Sequence, residues 1–173
     1  MAEWLYEAGI GENRAALLDD GQIIAARIER AVDGVRHGSI VEARLVDKGV
    51  AELSTEYGPQ LASLQGRAPV PQGGRFLAEV GRMAIKERGR HKLARVRAAA
   101  EGAVAKNGPS LVERISGGDV PGTHLSALSF GEDRLEAAGW SEMIERAQRG
   151  FWEFDGGALW IDPTPAMVVM DVD

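Results

Sequence analysis

Cysteine is absent from this sequence, which excludes disulfides and thiolate metal centres and fits a reducing, cytoplasmic setting. Histidine is scarce: His37, His91 and His124 lie far apart, so a histidine-based zinc site is not expected. No segment approaches the roughly 20 uninterrupted apolar residues of a membrane span. The opening "MAEWLYEAGIGE" has no basic start followed by an apolar stretch, so no signal peptide is expected. Aromatic residues are 6% of the chain, which limits any surface built on ring stacking. What is present is the balance of a globular protein: 45% hydrophobic and 27% charged residues over 173 positions. That length suits one ordinary domain, or two small ones.

The net charge is −6, but its distribution is uneven. In "RMAIKERGRHKLARVR" (82–97) seven Lys or Arg residues face one acid, Glu87. Two readings fit this segment. Its cations could contact the phosphates of a polyanion, or they could keep a strand edge solvated. The acids gather elsewhere, notably in 132–145 and at the C-terminus.

Along the chain, "EWLYEAGI", "RAALL" and "QIIAARI" are short apolar or alternating runs separated by "GEN" and "DDGQ", and they predict a β-meander over residues 1–30. A turn-rich connector, "AVDGVRHGS", leads to five more strand-like runs at 39–46, 50–55, 59–64, 75–85 and 91–97. Five short strands at this spacing predict a small closed barrel of the oligonucleotide-binding type, or else a generic small barrel or half-sandwich. "AAAEGAVAK" (98–106) has helical composition cut short by Gly102 and "NGP". "ISGGDVPGTHLS" (115–126) reads as loop. Ser129 and Glu132 fit a capping box, Gly139 divides the helical stretch, and Trp140, Ile144 and Ala147 share a helical face. Strands return at "FWEF", "ALWI" and "AMVVM". The last opens onto Asp171 and Asp173, either a strand-terminal surface pair or part of a metal site. Trp140, Trp152 and Trp160 read as packing residues, with stacking on RNA bases the lesser alternative. His91, between Arg90 and Lys92, reads as a phosphate or solvent contact.

Four segments, in order and spacing, resemble the ribonuclease E/G family. These are "LYEAGIGENRAALLDDGQIIAARIER", "GSIVEARLV", "VGRMAIKERGRHKLARVR" and "SEMIERAQRGFWEFDGGALWIDPTPAMVVMDVD". The resemblance covers nearly the whole chain and is weakest at 99–130. It implies an α+β fold in which a five-stranded S1/OB-like barrel (33–98) is inserted into an RNase H-like half-domain. The half-domain would comprise the meander (1–32) and a helix with strands at 131–173, the latter starting a catalytic subdomain, with a linker or degenerate sensor region at 99–130. The implied activity is binding of single-stranded RNA in support of Mg²⁺-dependent endonucleolytic cleavage.

Carried onto this sequence, the resemblance makes Asp171 the first metal-binding aspartate and puts Asp173 where the family usually has Asn. A hard divalent cation prefers such oxygen donors and can activate water for attack on phosphorus. The family's second aspartate lies on a later strand, past residue 173, so the expected Mg²⁺ site is incomplete and no catalytic residue is assigned. The implied RNA contacts are Lys86, Arg88, Arg90, Lys92, Arg95 and Arg97. The chain departs from the pattern in lacking the Arg-Thr pair of a 5′-end sensor, in a second barrel strand without aromatics and in lacking the zinc-binding Cys pair. Only Tyr57 and Phe76 stand near for base stacking. The alternatives are a non-catalytic S1-type RNA-binding module and a structural or protein-interaction β domain.

Overall fold

A computed structural model describes residues 2–87, 90–117, 124–129, 131–132, 134–164 and 167–173. The structure is mostly β with few, short helices, so the helical share of the expected α+β class is small. The chain divides into two compact units. One comprises Met1–Ala8, Arg14–Arg27 and Pro121–Asp173, and the other Gly9–Asn13 and Ile28–Val120.

The first unit is organised by short-range turn chemistry. Strands β1 (Glu3–Ala8), β2 (Glu12–Asp19) and β3 (Gln22–Arg30) follow one another, and Asp20 and Gly21 join the last two with φ of 48° and 79°. Both central residues thus sit in the left-handed region of a two-residue hairpin turn, which is why Asp-Gly is found there. Strand β11 (His124–Ala127) pairs in parallel with β1, Glu3 opposite His124 and Tyr6 opposite Ala127, to give the sheet order β11-β1-β2-β3. Because β11 lies in the stretch read as loop, its pairing is a long-range event that local sequence does not announce. Residues 118–123 of that stretch lie outside the described residues.

Two helices supply the core partners of this sheet. Gly139, with φ of 89°, separates α2 (Arg134–Ala137) from α3 (Trp140–Arg149), as its position in the sequence predicts. Leu5, Ala16, Leu135 and Trp140 form the buried cluster, with Met143 and Ile144 packed against it. Ala147, expected on this face, is exposed, and Met143 takes its place. The supposed cap at Ser129 is a backbone turn instead, the Glu132 N–H donating to the Ser129 carbonyl at 3.1 Å, and the helix begins later. Strands β12 (Phe151–Phe154), β13 (Gly157–Pro163) and β14 (Val168–Val172) form a separate antiparallel sheet in that order.

The second unit is built on a closed barrel of β4 (Ile40–Asp47), β5 (Val50–Thr55), β6 (Gly58–Leu64), β7 (Arg75–Arg82) and β10 (Ala94–Ala98), in the cyclic order β10-β6-β5-β4-β7. This five-stranded closure is compatible with an oligonucleotide-binding barrel. Period-two alternation sends Ala43, Leu45, Ala51, Leu53, Ala62, Leu64, Ala78, Val80, Ala94 and Val96 inward, all buried. Five alanines among these ten keep the bore narrow, and the branched residues fill it.

The runs at 75–85 and 91–97 each divide. Arg95 pairs with Arg82 but Val96 with Val80, leaving Gly81 as an extra residue on β7. This bulge bends the strand out of the barrel. The chain beyond it makes a two-stranded ribbon of β8 (Ile85–Glu87) and β9 (Arg90–Lys92). The alanine-rich 98–106 is not helical. Its start is held in β10, and Lys106 exchanges two backbone hydrogen bonds with Ile40, at 2.8 and 2.9 Å. Tertiary pairing here outweighs alanine's helix propensity. A helix does follow, α1 (Leu111–Ser116), opened by a capping box between Ser110 and Glu113. Leu111 and Ile115 are its buried residues. A short 3₁₀ turn (Ala31–Asp33) precedes the barrel.

Glu29 ties these parts of the second unit together. Its side chain is 11% exposed and accepts from Arg36 Nε at 3.0 Å, from Asn13 Nδ2 at 3.4 Å and from the Leu111 backbone N–H at 3.1 Å.

Two predictions follow from this packing. Ala94→Leu forces a branched side chain into the barrel interior opposite the buried Ala62 and should cost about 1–3 kcal/mol in urea unfolding; an unchanged midpoint would show that the bore is not tightly filled. At the α1 cap, the Ser110 backbone N–H, then its hydroxyl, hold the Glu113 carboxyl below its ordinary pKa. A depressed carboxyl stabilises the fold above its unfolded pKa, and that contribution is lost as pH falls through the folded value. Ser110→Ala removes the hydroxyl and keeps the N–H, so the Glu113 titration followed by NMR should rise part of the way back. An unmoved titration would refute the cap.

Candidate nucleic-acid interface

The basic segment becomes the connection between the fourth and fifth strands of the barrel. Gly81 bends the chain outward, and the ribbon β8–β9 pairs Ile85 with Lys92, Lys86 with His91 and Glu87 with Arg90. Arg82 fastens its base by donating from a terminal guanidinium nitrogen to the Leu93 carbonyl at 2.7 Å. Arg82 therefore has a positioning task that the sequence alone does not show.

The six predicted RNA contacts have different fates. Lys86 is exposed on the ribbon, its ammonium 3.9 Å from Asp33. Lys92 stands opposite Ile85 and is half-buried. Arg95 projects outward from β10 beside Arg82 and has no ion-pair partner among the described residues. Arg90 is placed in β9 by its backbone, and Arg88 lies outside the described residues. Arg97 is engaged differently. Two of its guanidinium nitrogens donate to the Glu79 carboxylate at 3.0 Å each, and this hydrogen bonding holds the Glu79 carboxyl below its ordinary pKa. The two strands put Arg97 directly opposite Glu79, so the pair neutralises itself. Arg97 is thus less available to a phosphate than a cation without a carboxylate partner.

The outward face of β5 and β6 carries Glu52, Ser54, Pro59 and Leu61, with no aromatic ring. Glu52 is paired with Arg44 at 3.0 Å. Of the two rings noted in the sequence, Phe76 packs against the barrel core and is not a stacking platform. Tyr57 is 61% exposed at the β5–β6 turn. The turn is pinned by Thr55, whose hydroxyl donates to the Gly58 carbonyl at 2.6 Å and accepts from the Tyr57 N–H at 3.2 Å. His91 is exposed opposite Lys86, in a cationic setting.

The tryptophans have local partners. Trp140 is buried beneath the Arg14 guanidinium, 5.7 Å from the ring centre, and Trp152 lies under Arg146 at 5.3 Å. Trp160 packs on Phe151 with centroids 4.2 Å apart.

Asp171 lies on β14 opposite Trp160. The strand is not buried: every residue from Val168 to Val172 is exposed, Met170 at 67%. The apolar run therefore does not mark a core strand, because β14 pairs with β13 on one side only and forms the sheet edge. Alternation puts Glu153, Asp162, Asp171 and Asp173 on one face, and Trp152, Leu159, Ile161, Met170 and Val172 on the other. Among the described residues no three carboxylate or histidine side chains converge closely enough to hold a metal ion. At Asp171 the described residues thus offer a cation at most part of a ligand set.

Sequence reasoning missed a cleft in the second unit of about 460 Å³, lined in part by Asn13, Arg30, Arg36, Ser54, Tyr57 and Asn107. Asn13, Arg30 and Ser54 come from strand ends, and Arg36, Tyr57 and Asn107 from turns and connectors. The turn-rich character of "AVDGVRHGS" was the only local signal, and it does not reveal which turns meet. No described helix is long and apolar enough to cross a membrane. Compared with protein-family models and with curated proteins, the chain matches none, so its site is read from its own geometry.

Proposed function

We propose that this chain binds single-stranded RNA through its barrel, with the β8–β9 ribbon as the phosphate-contacting element. The observation that carries the reading is the placement of the basic segment. Barrels of the oligonucleotide-binding type use the face of their second and third strands together with the first and fourth connections to hold nucleic acid. Here the fourth connection is the ribbon, extended from the barrel by the Gly81 bulge and carrying Lys86 and Lys92 next to Arg95. A solvated strand edge would need no such projection, since the ribbon lies outside the closed barrel and protects no edge of it. With no cation on the outward face of β5 and β6, the ribbon and Arg95 supply the attraction to phosphate. Tyr57 is the one exposed ring at the tip of that face.

The resemblance to the ribonuclease E/G family extends the proposal. In it the barrel is an S1-type insertion, and the meander with its added parallel strand is an RNase H-like half. RNA binding then supports Mg²⁺-dependent endonucleolytic cleavage, with Asp171 contributing one oxygen ligand to a site that these residues do not complete by themselves. A non-catalytic RNA-binding module is the second reading. It needs only the barrel and its ribbon.

Two measurements test these statements. The triple variant Lys86→Gln, Lys92→Gln, Arg95→Gln removes three candidate phosphate contacts. Each contact on a single strand contributes about 0.7 to the slope of log affinity against log salt, so the slope should flatten by about 2. An unchanged slope refutes phosphate contact by the ribbon. Incubation of labelled single-stranded RNA with this chain and Mg²⁺ should show binding without cleavage. Cleavage that disappears in Asp171→Ala would overturn that expectation and make the chain an enzyme.

A further inference from the structure

The cleft in the second unit has a composition unlike that of the ribbon. Its acidic lining residues are Glu12, Glu29 and Glu56, against the basic Arg30 and Arg36. Both arginines are already held by carboxylates, Arg36 by Glu29 at 3.0 Å and Arg30 by Asp33 at 3.3 Å. An interior with this balance does not attract a phosphate. It suits a neutral, polar, planar group.

Three features point to what that group is. Tyr57 offers an exposed ring on a turn whose backbone is fixed by Thr55. Ser54 and Asn107 present a hydroxyl and a carboxamide that have no hydrogen-bond partner among the described residues. Between them they offer both donors and acceptors. The cleft volume, about 460 Å³, lies within the range of small-ligand sites and exceeds what one nucleobase fills.

The cleft also lies next to the phosphate-binding element. Met83, which lines it, is the first residue after β7 on the way to the ribbon. Lys86 on the ribbon reaches Asp33, in the short turn whose neighbours Arg30, Ala31 and Gly34 line the cleft. A strand whose backbone follows the ribbon thus passes the cleft mouth.

We propose that this cleft receives one unstacked base of the bound single strand, its ring against Tyr57 and its hydrogen-bonding edge toward Ser54 and Asn107. The inference rests on the RNA-binding reading and adds base selection to it. The ribbon supplies sequence-independent attraction, and the cleft supplies the preference among bases. A base bound in this way leaves the count of phosphate contacts unchanged.

The test uses the full chain and short labelled RNA homopolymers, with affinity read by fluorescence anisotropy over a range of salt. Tyr57→Ala should weaken binding roughly 5- to 150-fold, the range expected for loss of one aromatic–base stack, and leave the salt slope as in the wild type. Tyr57→Phe keeps the ring and should stay within about twofold of the wild type. Asn107→Ala should compress the affinity differences among homopolymers. Wild-type affinity in Tyr57→Ala, or an equal loss in Tyr57→Phe, would overturn the proposal while leaving phosphate binding by the ribbon intact. If the wild-type chain bound none of the RNAs, the RNA-binding reading would fall. Titration with free nucleosides then decides the cleft separately. NMR shifts confined to Tyr57, Ser54 and Asn107 support it, and shifts elsewhere or none at all refute it.

Discussion

Closure of the barrel is the constraint on which the second unit depends. Strand β10 makes it by pairing in parallel with β6, Ala94 opposite Ala62, and antiparallel with β7 on its other side. A closed sheet has no edge to protect and buries every inward residue at once. Closure around so narrow a bore needs small residues, and Ala62 and Ala94 are both fully buried at the closing pair. The bulge at Gly81 is part of the same geometry. It relieves the strand where the barrel ends and directs the following residues away from it, so the basic ribbon is a consequence of how the barrel closes.

Charge is sorted by this architecture more sharply than the net value of −6 suggests. Pairs that face each other across strands neutralise themselves, as Arg97 does with Glu79 and Arg44 with Glu52. Such exposed pairs contribute little to stability, but they remove cations from the set that can meet a phosphate. Glu29 shows the opposite case. It is nearly buried and bonded to donors from three segments, so its carboxylate organises the cleft wall and the start of α1 together. What remains outwardly cationic is the ribbon with Arg95, beside a cleft whose interior leans acidic.

Much of the architecture was legible where physics is local. Asp20-Gly21 announced its hairpin because few residue pairs accept two left-handed positions, and Gly139 announced the break between α2 and α3 for a related reason. Alternation in "SIVEARLV" and "VAELST" placed the barrel strands within a residue or so. Readings failed where a distant partner decided. Residues 98–106 look helical but are held by Ile40, and His124–Ala127 looks like loop but pairs with β1. The three valines and Met170 of β14 have the composition of a core strand and lie exposed at an edge. Composition reports what a strand could bury, and only its neighbours decide whether it does. The candidate site followed the same division: the cluster of cations was visible, whereas the loss of Arg97 to Glu79 required the register of β7 and β10.

By itself, then, the sequence determined the turns, the alternation that makes a barrel of short strands, and the concentration of positive charge in one segment, because each depends on residues close in the chain. Only the tertiary structure decided that this segment would project as a ribbon from the barrel, that Arg97 would pair with Glu79, and that Asn13, Arg30, Arg36, Tyr57 and Asn107 would surround one cleft. Those outcomes depend on strand closure and cross-strand register, which bring together residues that carry no mark of one another in the sequence.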